Sequence, residues 1–461
     1  MTLHQIAPKL PAELYQRNFA DINPPFTSQQ AMIEASRCLY CFDAPCIKAC
    51  PTRIDVPSFI KKIGTGNLKG SARAILSANI LGESCGRVCP TEVLCEGACV
   101  MNGSGEKPIE IGRLQRYAVD HVLDHNIRLF QAGTPNGHRV ACVGSGPASL
   151  ACASELAKLG YTVEIYDRNP MPGGLNTYGI AAYKTRTSDS LREVKLIEEL
   201  GVKFHQGMEV GKDITLPELE EKFDAIFLAV GLGETWDLDL PGEELDDVYG
   251  ALEFIERTKI EPFESIDIGK RVAVIGAGNT AIDCVTAARR LNAGSVYLIY
   301  RRGEDSMPAF KYEYELAKSD GVIFLWYTQP IRIVGKGGAV TGLECQRTRL
   351  AGNGRGARVE PIAGSEFLVE VDWVVKALGQ QPVTDLLKSI SGLELNAGRV
   401  VINPETRQTG NPKYFAGGDC VNGGREVVDA VAEGMAAARG IHRWIDETRN
   451  SKLETRGLVQ H

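Results

Sequence analysis

Eight of the thirteen cysteines in this chain fall between Cys38 and Cys99, and no other feature limits the possible folds as tightly. The first group reads Cys38-x2-Cys41-x4-Cys46-x3-Cys50-Pro, and the second reads Cys85-x3-Cys89-Pro-x5-Cys95-x3-Cys99. Closely spaced thiolates with a proline that stops the local turn are the pattern that wraps iron–sulfur cubes, so two [4Fe–4S] clusters are expected. Structural zinc closes with four ligands and usually repeats its short spacing, which the x4, x3 and x5 gaps fit poorly. Disulfides call for an oxidising compartment and a small secreted domain, which a chain of 461 residues is not.

That length allows about three domains. Lys plus Arg at 51 against Asp plus Glu at 58 gives a net charge of −7, which argues against nucleic acid as a partner. No apolar run reaches the roughly 18 residues of a membrane span. Met1-Thr2-Leu3-His4-Gln5 lacks a basic segment leading into an apolar core, so a cytoplasmic location is expected.

Pro8, Pro11, Pro24 and Pro25 make residues 1–37 read as an extended lead-in to a short helix ending near Arg37. Apolar residues at helical spacing over Val56 to Ile63, Ser71 to Ala78 and Ile111 to His125 place the cysteine loops between helices. Gly133-Thr134-Pro135-Asn136-Gly137 is turn-rich and closes an α-helical domain expected over 1–137.

The pattern then changes. Arg139 to Val143 is a short apolar strand, Gly144-Ser145-Gly146-Pro147-Ala148-Ser149 opens a helix to about Leu159, and a second strand from Thr162 ends on Asp167. Glycines let a backbone approach a pyrophosphate on a helix N-terminus, and the acid sits at about the distance expected for a ribose hydroxyl. Ser149 replaces the third glycine, so the loop gains its meaning from the surrounding strand, helix, strand and acid. The unit recurs with the strand Arg271 to Ile275, the loop Gly276-Ala277-Gly278-Asn279-Thr280-Ala281, and a strand from Ser295 to Ile299 ending in Tyr300-Arg301-Arg302. Arginines in place of the acid suit a 2′-phosphate, although both would also pass as solvated surface charges.

Two such loops imply one site for FAD and one for a nicotinamide. Tyr414-Phe415-Ala416-Gly417-Gly418-Asp419 and the helix expected from Glu426 to Ile441 supply a second flavin-side segment, whose acid suits a ribityl hydroxyl. The fold class read from this order is α/β: an N-terminal α-helical iron–sulfur domain followed by two nested Rossmann-like dinucleotide-binding domains. The expected FAD domain spans 138–264 and 379–461, with the NAD(P) domain inserted at 265–378. Cys142, Cys152, Cys284, Cys345 and Cys420 are isolated in sequence, which speaks against a redox-active dithiol beside the flavin and for buried small side chains.

From about Ser36 to Ile441 the chain resembles the small subunit of glutamate synthase and the N-terminal half of dihydropyrimidine dehydrogenase. Arg37-Cys38-Leu39-Tyr40-Cys41-Phe42-Asp43-Ala44-Pro45-Cys46 and Ile109-Glu110-Ile111-Gly112-Arg113-Leu114-Gln115 resemble the dehydrogenase more. That resemblance implies Cys38, Cys41, Cys46 and Gln115 on one cluster, and Cys50, Cys89, Cys95 and Cys99 on the other, leaving Cys85 spare. It implies FAD on Gly144, Gly146, Pro147, Ala148, Asp167, Gly173, Gly174, Leu175, Lys184, Gly418 and Asp419. It implies NAD(P)H on Ala277, Gly278, Asn279, Thr280, Arg301 and Arg302. Gly303-Glu304-Asp305-Ser306-Met307-Pro308 lacks a further arginine expected of the NADPH-using animal enzyme, so the nucleotide stays NAD(P).

The sequence holds no series of strand–helix units for a barrel and no second ferredoxin-type cysteine run. The resemblance therefore implies a hetero-oligomer in which a partner subunit carries FMN, iron–sulfur centres and the pyrimidine site. The competing expectation is the glutamate synthase small subunit, feeding a large amidotransferase subunit from NADPH.

Overall fold

The computed structural model describes residues 5–352 and 357–458 and divides into two compact units. The larger comprises Asn23–Thr177, Thr187–Leu232 and the chain from Pro382 onward, and the smaller comprises the chain through Ile22, Tyr178–Arg186 and Gly233–Gln381.

The larger unit begins with the four expected helices, now seen as Ser28–Ser36, Val56–Gly64, Leu68–Ala78 and Ile111–Asp124, and adds the short helices Pro45–Ala49 and Gly82–Val88, which carry Cys46 and Cys85 where loops were expected. Thr27 starts the first through a capping box: its hydroxyl accepts the Gln30 N–H, and the Gln30 side chain accepts the Thr27 N–H. The apolar stripes of these helices meet in one core, with Phe59, Ile60, Ile63, Ile75, Leu76, Leu114 and Val119 buried. A parallel sheet follows, in the order Tyr414–Ala416, Ala225–Leu228, Arg139–Val143, Thr162–Asp167, Lys203–Gln206. Its central strands are buried almost throughout, as a parallel sheet covered on both faces requires. The helix Pro147–Lys158 packs against the long helix Val427–Leu458, which runs well past the end expected near Ile441. Ile80 and Leu81 from the cysteine-bearing region sit in the same core as Val140, Phe227 and Phe415 from the sheet. This shared core makes one unit of two regions that were expected to be separate domains.

In the smaller unit five parallel strands run in the order Val248–Gly250, Trp373–Lys376, Arg271–Ile275, Ser295–Ile299, Ile323–Leu325. Beside it lies an antiparallel sheet of Thr328–Lys336, Ala339–Ala351 and Arg358–Val369, which the sequence reading did not anticipate. Gly337 and Gly338, both at positive φ, make its two-residue hairpin turn.

The boundaries depart from the expected ones at three places. Residues 5–22 were assigned to the helical domain, yet the Ala7 N–H donates to the Ile268 carbonyl at 2.8 Å and the Lys270 N–H to the Gln5 carbonyl at 2.7 Å. Phe19 also stacks on Phe263 with ring centroids 4.1 Å apart, fixing this lead-in to the smaller unit. Residues 233–264 were assigned to the FAD domain, but Val248–Gly250 pairs with Trp373–Lys376 as an edge strand of the second sheet. Tyr178–Arg186 belongs to the smaller unit because Tyr183 and Lys184 bury their polar ends against Asp283.

Candidate functional site: cysteine loops and two dinucleotide loops

Seven of the eight cysteines, all but Cys41, lie in or against the helical core. Cys50 and Cys85 are buried, and the other six are half-buried. Cys99, expected with Cys50, Cys89 and Cys95, also faces Cys38 and Cys46 electrostatically, and Cys46 in turn faces Cys95. The two expected ligand sets are therefore close neighbours. Burial, reinforced by Cys38 and Cys99, pushes the Cys46 thiol up to about 11. A hydrogen bond with Cys85, together with burial, holds Cys89 well above the ordinary thiol range. Crowded, half-buried thiols of this kind ionise readily only beside a cation such as cluster iron. Among the described residues, no three His, Cys, Asp or Glu side chains gather about a single ion position.

The helix Ile111–Asp124 brings Gln115 to the same core, 7% exposed, where its Nε2 donates to the Gly82 carbonyl at 2.7 Å. Two carboxylates fix the start of this helix. Glu96, next to Cys95, accepts the Gly112 N–H at 2.9 Å, and Glu34 accepts the Glu110 N–H at 2.9 Å. Burial pushes Glu96 up to about 7.

At the first dinucleotide loop a Cβ on Gly144 would lie 2.3 Å from the Ala229 carbonyl oxygen, and φ there is +95°. Only glycine fits so tight a crossing. Gly146, by contrast, caps the helix Pro147–Lys158 with nothing within 4 Å of a built Cβ. The loop thus keeps open the space over a helix N-terminus where a pyrophosphate rests, and the residues present fit FAD there. The Asp167 carboxylate accepts the Ser145 N–H at 2.7 Å and the Ser145 hydroxyl at 2.8 Å, so it orders the loop. Gly173 and Gly174 reach the same loop: the Gly173 N–H donates to the Ser145 carbonyl at 3.1 Å, and a Cβ on Gly174 would stand 2.7 Å from the Gly146 Cα. Leu175 is exposed beside them. Gly418 packs against Ala148 and donates its N–H to Glu433 at 2.7 Å, while burial raises the pKa of Asp419. Ten of the eleven expected FAD residues therefore lie in the larger unit, around one sheet end. Lys184 lies in the smaller unit, its Nζ 2.7 Å from Asp283 and 2.5 Å from Glu313.

The second loop repeats the geometry. A Cβ on Gly276 would lie 2.2 Å from the Ala377 carbonyl oxygen, while Gly278 caps Asn279–Arg290 and is open. The segment after Arg302 folds back over it: the Ala277 carbonyl accepts the Ala309 N–H at 3.1 Å, and Asn279 Oδ1 accepts the Phe310 N–H at 3.0 Å. Thr280 and Arg301 are exposed, and Arg302 is half-buried. The antiparallel sheet fixes the arginine backbone, with the Thr348 hydroxyl donating to the Arg301 carbonyl at 2.8 Å and the Tyr327 N–H to the Arg302 carbonyl at 3.1 Å. These residues fit NAD(P)H.

Sequence reasoning missed Ser145 and Glu433, which act through the backbone and the loop. The Gly-Ser-Gly order signals Ser145; nothing local signals Glu433. The five cysteines isolated in sequence are all buried, and the fold brings two of them, Cys142 and Cys152, within hydrogen-bonding reach of each other.

Comparison with known proteins agrees with this architecture. Residues 15–127 match the family described as dihydropyrimidine dehydrogenase domain II, 4Fe-4S cluster, and residues 138–434 match pyridine nucleotide-disulphide oxidoreductase. The glutamate synthase [NADPH] small chain of Escherichia coli K12 is 38% identical, over 95% of this chain and 96% of that one. The NAD-dependent dihydropyrimidine dehydrogenase subunit PreT of the same organism is 35% identical, over 94% and 98%. The structure of Mycobacterium tuberculosis FprA in complex with NADPH shares the fold, with a TM-score of 0.57 at 19% identity, covering 68% of this chain and 86% of that one. The two family matches make [4Fe–4S] clusters, FAD and NAD(P)H the cofactors of this oxidoreductase. The chain belongs to the family of the glutamate synthase small chain and the dihydropyrimidine dehydrogenase subunit PreT, in which a 4Fe-4S domain precedes a pyridine nucleotide-disulphide oxidoreductase domain.

Proposed function

We propose that this chain is the electron-input subunit of an NAD(P)-dependent dihydropyrimidine dehydrogenase. In this reading it works in the cytoplasm and delivers electrons to a partner subunit that holds FMN and iron–sulfur centres and reduces uracil or thymine to the 5,6-dihydropyrimidine. Hydride exchange between nicotinamide and flavin, and one-electron transfer onto iron, are chemistry that the bound cofactors supply. The chain's residues bind and orient them. Gly144, Gly146, Pro147, Ala148, Gly173, Gly174, Gly418 and Asp419 form the FAD cradle, with Asp167 set against the loop by Ser145. Ala277, Gly278, Asn279 and Thr280 form the nicotinamide-nucleotide cradle, with Arg301 and Arg302 on its ribose side. Cys38, Cys41, Cys46 and Gln115 hold one cluster, and Cys50, Cys89, Cys95 and Cys99 the other.

The observation that carries the pyrimidine reading is Gln115, a buried amide whose nitrogen is engaged by Gly82 at the edge of the cysteine core. The 38% identity to the glutamate synthase small chain favours the second reading, delivery of electrons from NADPH to a large amidotransferase subunit. Among the described residues no helix is long and apolar enough to cross a membrane.

Affinity purification of the chain from its native host, with mass spectrometry of its companion, decides between the readings. The proposal expects uracil reduction by NAD(P)H from the reconstituted pair, and only artificial-acceptor reduction from the isolated chain. A glutaminase-bearing companion, or uracil reduction by this chain alone, overturns it.

A further inference from the structure

Glu193 is 1% exposed on the helix Thr187–Glu198 of the larger unit. Its Oε1 accepts the backbone N–H groups of Glu83 at 2.7 Å and Ser84 at 3.1 Å, and its Oε2 accepts the Ser84 hydroxyl. Those two N–H groups belong to the first turn of Gly82–Val88, where a helix has no internal partner for them. The same helix carries Cys85 and runs directly into Cys89. The Ser84 Oγ also accepts a hydrogen bond from Asn176 Nδ2 at 3.1 Å, and Asn176 directly follows Gly173-Gly174-Leu175.

The Ser84 hydroxyl thus ties the cysteine-bearing helix to the loop on the flavin side, and the buried Glu193 carboxylate holds that hydroxyl and its helix turn in place. The charges around it are paired elsewhere: Glu83 is held by Arg87 at 2.9 Å and by Arg192, and Arg192 also meets Asp120 and Asp124. A carboxylate removed from water is costly unless hydrogen-bonded, and those bonds impose a single geometry that apolar packing would leave free to slide.

We propose that Glu193, acting through Ser84 and Asn176, is a positioning residue for the electron step from flavin to cluster. It fixes the Cys89 turn relative to the Gly173–Leu175 loop. The inference rests on the reading of Cys89 as a cluster ligand and of that loop as part of the FAD site. With both groups bound, the reduced flavin would give up its two electrons one at a time, each reducing a cluster by one electron, and would release to solvent the proton gained with the hydride, with no bond in the polypeptide made or broken. Transfer of this kind falls steeply with separation, so the rate is sensitive to small shifts of either element.

The test uses the intact holoprotein prepared anaerobically as Glu193→Ala, Glu193→Gln and Ser84→Ala. Iron and flavin content, single-turnover flavin bleaching by NADH, and the freeze-quenched EPR signal of the reduced clusters are recorded for each. Glu193→Ala should bleach within about twofold of the parent yet build its cluster signal about tenfold more slowly. Glu193→Gln keeps an oxygen for both N–H groups and can only donate its amide N–H to the Ser84 Oγ, reversing that bond, so it should recover most of the parent rate, and Ser84→Ala should be slowed in the same direction as Glu193→Ala. Fully loaded Glu193→Ala and Ser84→Ala proteins with parent cluster kinetics overturn the proposal. If Glu193→Ala loses iron while loaded Ser84→Ala keeps the parent rate, Glu193 is structural only and the proposal also fails. Should NADH not bleach even the parent, the functional reading fails on its own, and photoreduction of the flavin still measures the internal step.

Discussion

Gly146 and Gly144 stand two residues apart and should respond to the same substitution in opposite ways. A methyl at Gly146 enters space with no protein atom within 4 Å, from a backbone at φ −73° that alanine adopts freely. Gly146→Ala should therefore change the stability of the flavin-free protein by under about 1 kcal/mol. If FAD is held as proposed, the methyl would meet the pyrophosphate, and overpacking of about 1 to 3 kcal/mol corresponds to roughly five- to 150-fold weaker FAD retention. Gly144→Ala places its Cβ 2.3 Å from the Ala229 carbonyl oxygen at a φ of +95°, so it should destabilise the fold itself by roughly 2 to 4 kcal/mol, with or without FAD. The assay is flavin stoichiometry after purification, fluorescence titration of the flavin-free protein with FAD, and thermal melting by circular dichroism. Gly278→Ala in the second loop, equally open, should raise the KM for NAD(P)H and leave flavin content unchanged. Parental FAD affinity in Gly146→Ala, or flavin loss in Gly278→Ala, would refute the assignment of the two loops.

Gln115→Ala should alter the EPR spectrum and iron count of one cluster and spare the other; identical spectra and iron content would remove Gln115 from the ligand set. Replacing both Arg301 and Arg302 by Ala should raise the KM for NADPH about tenfold more than that for NADH, as loss of a charge-assisted phosphate contact predicts, read from steady-state bleaching with each nucleotide. Lys184→Met leaves Asp283 and Glu313 buried without their cation and should cost about 3 to 5 kcal/mol, visible as a lowered unfolding midpoint in denaturant. Burial pushes Glu83 up to about 7 against the opposing pull of Arg87 and Arg192, so its contribution is full below the unfolded pKa near 4.5 and is lost as pH rises toward 7. Glu83→Gln should flatten the fall in Tm across that window, and an unchanged slope would place the pH dependence elsewhere.

The amino-acid sequence by itself determined the cysteine-bearing helical region, both strand–glycine–helix units and the helix from Val427. Each is written in short-range spacing: thiols a few residues apart, glycines at a turn, apolar residues at a helical or strand period. It also marked the five isolated cysteines as packing residues. Tertiary structure decided the rest, because the deciding contacts join segments far apart in the chain. Residues 5–22 lie with the second sheet because they pair backbone groups with Ile268 and Lys270, and a proline-rich lead-in carries no local sign of that partner. Val248–Gly250 is too short to announce itself as a strand, and only the edge of Trp373–Lys376 makes it one. The family resemblance implied Lys184 at the flavin, and the structure shows its charge met by Asp283 and Glu313, 99 and 129 residues downstream. A buried charge must find its counter-charge wherever the packed core brings one, and that choice is made by the whole chain.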